Sequence, residues 1–536
     1  MSKGVVATVA ALTVLAGCGK WADDLACGDQ GCGWTGDEWT RIRGLAFICS
    51  DEQRSAGAPC GTPVPPDRSN RYLPIADWDT GALKPDPGAD PVVALGRRFY
   101  FEPLLSGSAT WNDTLGRHTP SARAPVGEPT KLSCASCHDP ARYGGDFTSV
   151  PRTISIGAGW YDVNGQQTLN AARFPLLYWN GRADSLWAQA AQVMESAVSM
   201  NGHRMKTFWV IANHYRDAYA VFPEAPPEEP PKEPSTDPAP AAPPTWAALA
   251  ATLQAPPEAT ATTDDYRKQF AALSPAEQRT VTFVHVNVAK AIAAYEWLLS
   301  SDHSPFDQFV NEGPQSTALP PAAQRGLKLF IGKASCIDCH NTPLLSDGKF
   351  HDIGIGQSGA GVPTVADCSD LPSAPKCDCV SGKTCLPWGA YYGMQKLASQ
   401  EFSRRSKYSD DAAAPLSQTP APMPMPDEQL KGTWRTPSLR DVAMTGPYMH
   451  DGILATLSDV VWHYDQADGI GAAHAARSNS QMGDLQIPSL GSIGSLRLSA
   501  DEREDLVAFL FSLTGTSPGV PLLAAPPGQS GEQRAQ

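Results

Sequence analysis

The sequence predicts a mainly α-helical protein built as two tandem halves behind a cysteine-rich N-terminal segment. Three observations predict it. The pentapeptide Cys134-Ala-Ser-Cys137-His138 returns as Cys336-Ile-Asp-Cys339-His340, 202 positions further on (134 to 336). Around each copy, apolar residues recur at helical spacing and helices open with capping boxes. The other cysteines fall into tight groups outside these regions.

Both pentapeptides are C-x-x-C-H, the attachment signature of c-type haem. Positions i, i+3 and i+4 share one face of a helical turn, so two sulfurs and an imidazole meet one side of a flat ring. The thiols add to the haem vinyl groups and the histidine reaches the iron. Cys134, Cys137 and His138 are expected to hold one haem, and Cys336, Cys339 and His340 a second. A disulfide or zinc pair preceding a histidine is the plainer alternative, but no second C-x-x-C completes a tetrahedral set near either copy. Each half is therefore expected to be a c-type cytochrome domain, over residues 91–315 and 316–520.

Taken in order, residues 1–17 hold Lys3 and an apolar run from Val5 to Ala16. That is a secretory signal, too short for an ordinary transmembrane helix. Leu15-Ala16-Gly17-Cys18 resembles a lipobox, which would make Cys18 a lipidated first residue, with Gly19 favouring the outer membrane. Residues 18–90 are expected to be a tether and a disulfide-stapled segment. Of the 13 cysteines, eight then remain, as Cys27, Cys32, Cys49, Cys60 and Cys368, Cys377, Cys379, Cys385. Each quartet suits two bridges of open connectivity in an exported chain. The second quartet lies in an insertion over 360–390.

From Val92 to Phe101 the pattern is helical, and the first pentapeptide follows. Residues 223–260 carry Pro-Pro pairs and alternating charge, the composition of a surface insertion that builds no core. Ser274-Pro275-Ala276-Glu277 opens a long helix with Val281, Val284, Val288, Ile292 and Tyr295 on one face. Ser499 and Glu502 open the last helix, which buries Leu506, Leu510 and Leu513. Residues 521–536 are expected to be a disordered tail. The two halves show little repeat beyond the pentapeptides. With 42 Lys and Arg against 56 Asp and Glu, the charge is −14, which argues against nucleic acid.

Several stretches together resemble the bacterial dihaem cytochrome c peroxidase superfamily and its MauG-like branch. They are Ala94 to Gly96 with Leu105-Ser106-Gly107, Ser133 to Asp139, Leu177-Tyr178-Trp179-Asn180-Gly181-Arg182-Ala183, Thr433 to Val442, and Thr445-Gly446-Pro447-Tyr448-Met449-His450-Asp451-Gly452. The resemblance covers roughly 91–222 and 262–516. It implies two haem c groups, peroxide chemistry at the N-terminal haem, electron transfer at the C-terminal one, and a calcium ion between the domains. Trp179 takes the position of a bridging tryptophan. Tyr464 takes that of the sixth ligand of the second haem, with His463 and the methionines of Met423-Pro424-Met425 as alternatives. A phenolate is a hard donor that favours ferric iron. Asn164, Thr445 and Pro447 take the calcium positions, and oxygen donors suit that cation.

Two departures mark the peroxide site. Ser155-Ile156-Gly157-Ala158-Gly159-Trp160 keeps the frame in which the peroxidases carry a removable histidine, but Ala158 cannot ligate iron, so the first haem is expected to be open. Gln189 matches the family glutamine, whereas position 199, where the resemblance implies a catalytic glutamate, is Ser199. A hydroxyl is no effective acid or base near neutrality. Glu195 or His203, each one helical turn away, is the expected substitute. The implied activity is that of a peroxidase acting on hydrogen peroxide with a protein or small-molecule electron donor, on the periplasmic side of the envelope. The alternative is an electron-transfer dihaem lipoprotein without efficient peroxidase activity.

Overall fold

The computed structural model describes residues 27–28, 31–49, 66–110, 124–125, 127–146, 155–159, 163–226, 241–351, 353, 355, 389–411, 430, 433–466, 496–516 and 518–526. The signal segment, Cys18, Met423, Met425 and the second cysteine quartet lie outside them. The helices are α1 (Gly36–Arg43), α2 (Pro91–Tyr100), α3 (Leu186–Glu195), α4 (Arg204–His214), α5 (Trp246–Thr252), α6 (Thr263–Ala271), α7 (Pro275–Glu296), α8 (Pro305–Glu312), α9 (Pro321–Ile331), α10 (Ala390–Ser399), α11 (Leu457–Asp465) and α12 (Ala500–Phe511). Among the described residues, sheet is confined to three two-stranded antiparallel pairs: β1 (Cys27–Gly28) with β2 (Gly31–Cys32), β3 (Ile75–Asp77) with β4 (Ala82–Leu83), and β5 (Phe350–His351) with β6 (Trp434–Arg435). The mainly α expectation holds.

Two hydrophobic cores form, one beside each pentapeptide. The first runs from Leu73 to Leu299 around α7. Ser274 and Glu277 cap that helix reciprocally, with Pro275 at its first position. The predicted stripe from Val281 to Tyr295 is fully buried, but so are His285, Asn287 and Lys290 on other faces. A helix apolar on one face thus became a central one because its polar residues found partners, such as Asn287 donating to the Tyr219 hydroxyl at 2.9 Å. The second core runs from Phe306 to Leu513, with α9 against α12; Ser499 and Glu502 cap α12 as expected.

In each core two helices cross at a glycine. A Cβ on Gly96 of α2 would stand 1.8 Å from the Ala291 carbonyl oxygen of α7, and one on Gly326 of α9 would stand 1.9 Å from that of Asp505 on α12. The halves also share a turn. Leu177 bridges Ala183, with positive φ at Tyr178 and Gly181; Tyr448 bridges Leu454, with positive φ at Met449 and Gly452. The repeat is therefore present in backbone geometry, though side-chain identities hide it.

Three expectations need correction. The segment before residue 90 is more than a tether. Ile42, Leu45 and Ala46 join the second core, Leu73 and Ile75 join the first, and the backbone N–H of Phe47 donates to Asp307 at 2.9 Å. Within 223–260, α5 buries Trp246 and Leu249 in the first core, because one apolar helical face outweighs the surrounding prolines. Residues 521–524 are held to the body: the Arg97 guanidinium donates to the Ala524 carbonyl at 2.6 Å, and the Tyr295 hydroxyl to that of Leu522 at 2.5 Å.

Candidate functional site

Both pentapeptides fold as one 3₁₀ turn, Cys134–Ser136 and Cys336–Asp338, with His138 and His340 donating backbone N–H to Cys134 and Cys336 at 2.9 and 3.0 Å. None of their four cysteines is in a disulfide, whereas Cys49 is. The chain then turns back through left-handed residues, Tyr143 and Gly144 in one case and Leu345 in the other. This sets a carbonyl against each imidazole: His138 Nδ1 lies 3.3 Å from the Gly144 oxygen and His340 Nδ1 2.5 Å from that of Leu345. An N–H on Nδ1 donates there and leaves Nε2 as the basic nitrogen, the tautomer that binds a metal. Burial lowers the pKa of both imidazoles, which keeps them neutral.

One cavity opens from the first pentapeptide to the junction of the halves. Cys134, Cys137 and His138 line it with Gly157, Asn164, Trp179, Gln189, Ser199, Met200, Glu296, Arg435, Thr445 and Pro447. Arg435 Nη1 is buried without a partner, and burial pushes the guanidinium pKa down to about 9. A buried cation left over by the fold fits a group that brings its own carboxylates, as a haem does through its propionates. The pair of thiols outside any disulfide and the neutral imidazole complete that fit.

Of the predicted site residues, Trp179, Gln189 and Ser199 share this wall. Gly157 and Ala158 stack on the Ser199 turn: the Ala158 N–H donates to the Ser199 carbonyl at 2.6 Å, and a Cβ on Gly157 would meet that same oxygen at 2.2 Å. Glu195 lies outside the wall. Its carboxylate is bonded to the Arg204 guanidinium at 2.6 Å, and Arg204 also pairs with Glu401 at 2.8 Å. Burial raises the Glu195 pKa, but His285 and Arg204 outweigh it and hold the group at about 2. His203 also lies outside, capping α4 by accepting from the Met205 N–H at 3.1 Å. Neither is available as the substitute acid.

Asn164, Thr445 and Pro447 do come together. The Asn164 side chain donates to the Pro447 carbonyl at 2.6 Å, and its backbone N–H to that of His450 at 2.6 Å. Trp179 Nε1 donates to the Asn164 carbonyl at 2.9 Å. Trp179 and His450 occupy equivalent positions of the two repeated turns, and their rings meet edge to face at 6.3 Å. His450 in turn stacks on Trp434 at 4.0 Å and 16°. It is 1 % exposed, and neither ring nitrogen has a partner.

At the second pentapeptide, α11 presents Tyr464. Its hydroxyl is buried and lies within electrostatic reach of both Cys336 and Cys339; burial first, then these thiols, push its pKa up. His463 Nε2 is instead engaged with the Ile353 carbonyl at 2.9 Å. On the same side, Cys339, Asp347 and His351 converge with ligand atoms within 4.8 Å of one another. Trp434 pairs with His351 across β5 and β6. Met200, Glu296, Arg435 and His450 were missed by sequence reasoning. Arg435 and His450 lay within stretches that carry the family resemblance but were given no role, and orphaned polar atoms mark Glu296, Arg435 and His450.

The family profile described as di-haem cytochrome c peroxidase matches residues 90–315. A cytochrome-c peroxidase IdrP1 from Pseudomonas sp. (strain SCT) is 27 % identical, over 88 % of this chain and 90 % of its own. A methylamine utilization protein MauG from Methylorubrum extorquens is also 27 % identical, over 82 % and 84 %. Among solved structures, the diheme peroxidase BthA from Burkholderia thailandensis aligns over 83 % of this chain and 92 % of its own, at 21 % identity and a TM-score of 0.49.

Proposed function

We propose that this chain belongs to the di-haem cytochrome c peroxidase family and that it reduces hydrogen peroxide at a haem that Cys134, Cys137 and His138 would hold. A second haem, which Cys336, Cys339 and His340 would hold, would supply the electrons. When bound, the haems supply the redox-active iron. The observation that carries the reading is the asymmetry of the two sites. Tyr464 lies within electrostatic reach of the second pair of thiols, whereas the frame that would present a histidine to the first carries Ala158, folded onto the Ser199 carbonyl.

The chain's own residues then divide the work. Gln189 and Ser199 orient peroxide by hydrogen bonding. Arg435 neutralises a haem carboxylate. Trp179, His450 and Trp434 form a run of ring contacts from the first cavity to the strand pair beside Cys339, and the two tryptophans are its oxidisable members. Asn164 with the carbonyls of Thr445 and Pro447 holds calcium once the Asn164 amide turns its oxygen inward. The electron donor is a protein or a small reductant, and the chain works in the periplasm as an outer-membrane lipoprotein anchored at Cys18. No helix among the described residues is long and apolar enough to cross a membrane.

One equivalent of peroxide added to the diferric protein should convert the high-spin Soret band within seconds. An unchanged spectrum sinks the reading. Ser199 and the occupied Glu195 favour a second reading, an electron-transfer protein with little peroxidase activity. That reading predicts slow peroxide reaction with fast, reversible reduction by small carriers.

A further inference from the structure

The first cavity lacks an acid–base group at position 199, yet its wall contains one carboxyl that the peroxide reading has not used. Glu296 closes α7. It is 5 % exposed and lines the cavity together with Ile292, one turn earlier on the same helix. α7 packs on α3, which carries Gln189. Among the described residues of that wall Glu296 is the sole carboxyl.

Glu296 Oε2 is buried and has no hydrogen-bond partner. A carboxyl taken out of water without a partner is costly to the fold. Arg204 satisfies Glu195 and Arg440 satisfies Asp307, but the protein supplies nothing comparable for Glu296. A partner that enters the cavity with the ligand accounts for this. The charges facing it are few. Tyr100 on α2 and Tyr295 beside it have pKa values raised chiefly by burial and stay neutral; Cys134 loses its proton permanently on becoming a thioether. Arg435, Tyr178 and Tyr448 share the wall.

We propose that Glu296 is the proton-exchanging group of the first cavity and fills the role that Ser199 cannot. As carboxylate it accepts one proton from bound hydrogen peroxide. The O–O bond then breaks with its electron pair on the outer oxygen. That oxygen leaves as water, carrying its own hydrogen and the proton returned by Glu296. The inner oxygen then needs two electrons, which the haem held by Cys134, Cys137 and His138 would supply when bound, with the donor replacing them, and the carboxylate is regenerated. The inference rests on the peroxide reading. Burial alone pushes the free carboxyl up to about 8, so the base form grows in as pH rises through that value.

The test uses the purified dihaem protein and the variants Glu296→Gln and Glu296→Asp. In the wild type, the ferric Soret band of the first haem should titrate with a midpoint near 8, and the rate of peroxide reaction should rise through the same range. E296Q should lose the titration and react about 10²–10⁴-fold more slowly at pH 9. E296D should keep a titration with a displaced midpoint, a result that a merely structural role would not give. A wild type that reacts with peroxide while E296Q matches it in both readouts overturns this proposal alone. A wild type inert to peroxide overturns the peroxide reading and this proposal with it.

Discussion

Replacing Arg440 by Met tests the way the two halves and the N-terminal segment are clamped. Arg440 and Asp307 are each 1 % exposed, with Arg440 Nη1 2.6 Å from Asp307 Oδ2. The guanidinium also donates to the Leu45 carbonyl at 2.9 Å and the Pro343 carbonyl at 2.8 Å. Its backbone carbonyl receives the Gln167 amide from the other half at 3.1 Å. Removing one member of a buried pair strands the other charge and costs about 3–5 kcal/mol. Asp307 would keep its bonds from the Phe47 N–H and the Ser304 hydroxyl, which places the loss near the lower figure, about 3 kcal/mol. With a urea m-value of about 2–3 kcal/mol/M, the midpoint should fall by about 1–1.5 M. The assay is urea unfolding followed by tryptophan fluorescence, since Trp34 and Trp39 pack on Phe309 of the same core. A loss below about 1 kcal/mol would refute the clamp and show the pair to be no better than a surface contact.

Two further outcomes follow from the cavity and its surroundings. Glu195, held at about 2 against an ordinary value of 4.5, stabilises the folded state by about 3 kcal/mol. Because the folded value is the lower one, that stability is complete above about pH 5 and is lost as pH falls toward 2. E195Q should flatten the acid limb of a stability–pH curve, and an unchanged limb contradicts the pairing with Arg204. In the E296Q background, Ser199→Glu should restore about 10²–10⁴-fold of the peroxide reaction in stopped-flow mixing; no gain would mean that position 199 does not face bound peroxide.

What could be read from the sequence was what spacing alone determines. The two pentapeptides and the capping boxes at Ser274 and Ser499 depend on fixed intervals along a helix or turn, and those turns and boxes form as expected, whereas Ser199 and Tyr464 were placed by the family resemblance. What was missed depends on contacts between distant segments. Gly96 and Gly326 mark the repeat only once each is seen against a partner carbonyl. Trp246 and Leu249 sit three residues apart inside proline-rich sequence, a short signal that composition overrode. Glu195 looked like a spare acid because nothing in the sequence announces Arg204 as its partner. Glu296 looked like an ordinary helix-end residue because its missing partner is visible only in three dimensions.

The most direct measurement is low-temperature EPR of the ferric protein loaded with both haems, taken alongside Tyr464→Phe. One high-spin signal from the first haem and one low-spin signal from the second are expected. The low-spin signal should be lost or displaced in Y464F while the high-spin signal stays. Two low-spin signals, or a Y464F spectrum identical to the wild type, would contradict the account.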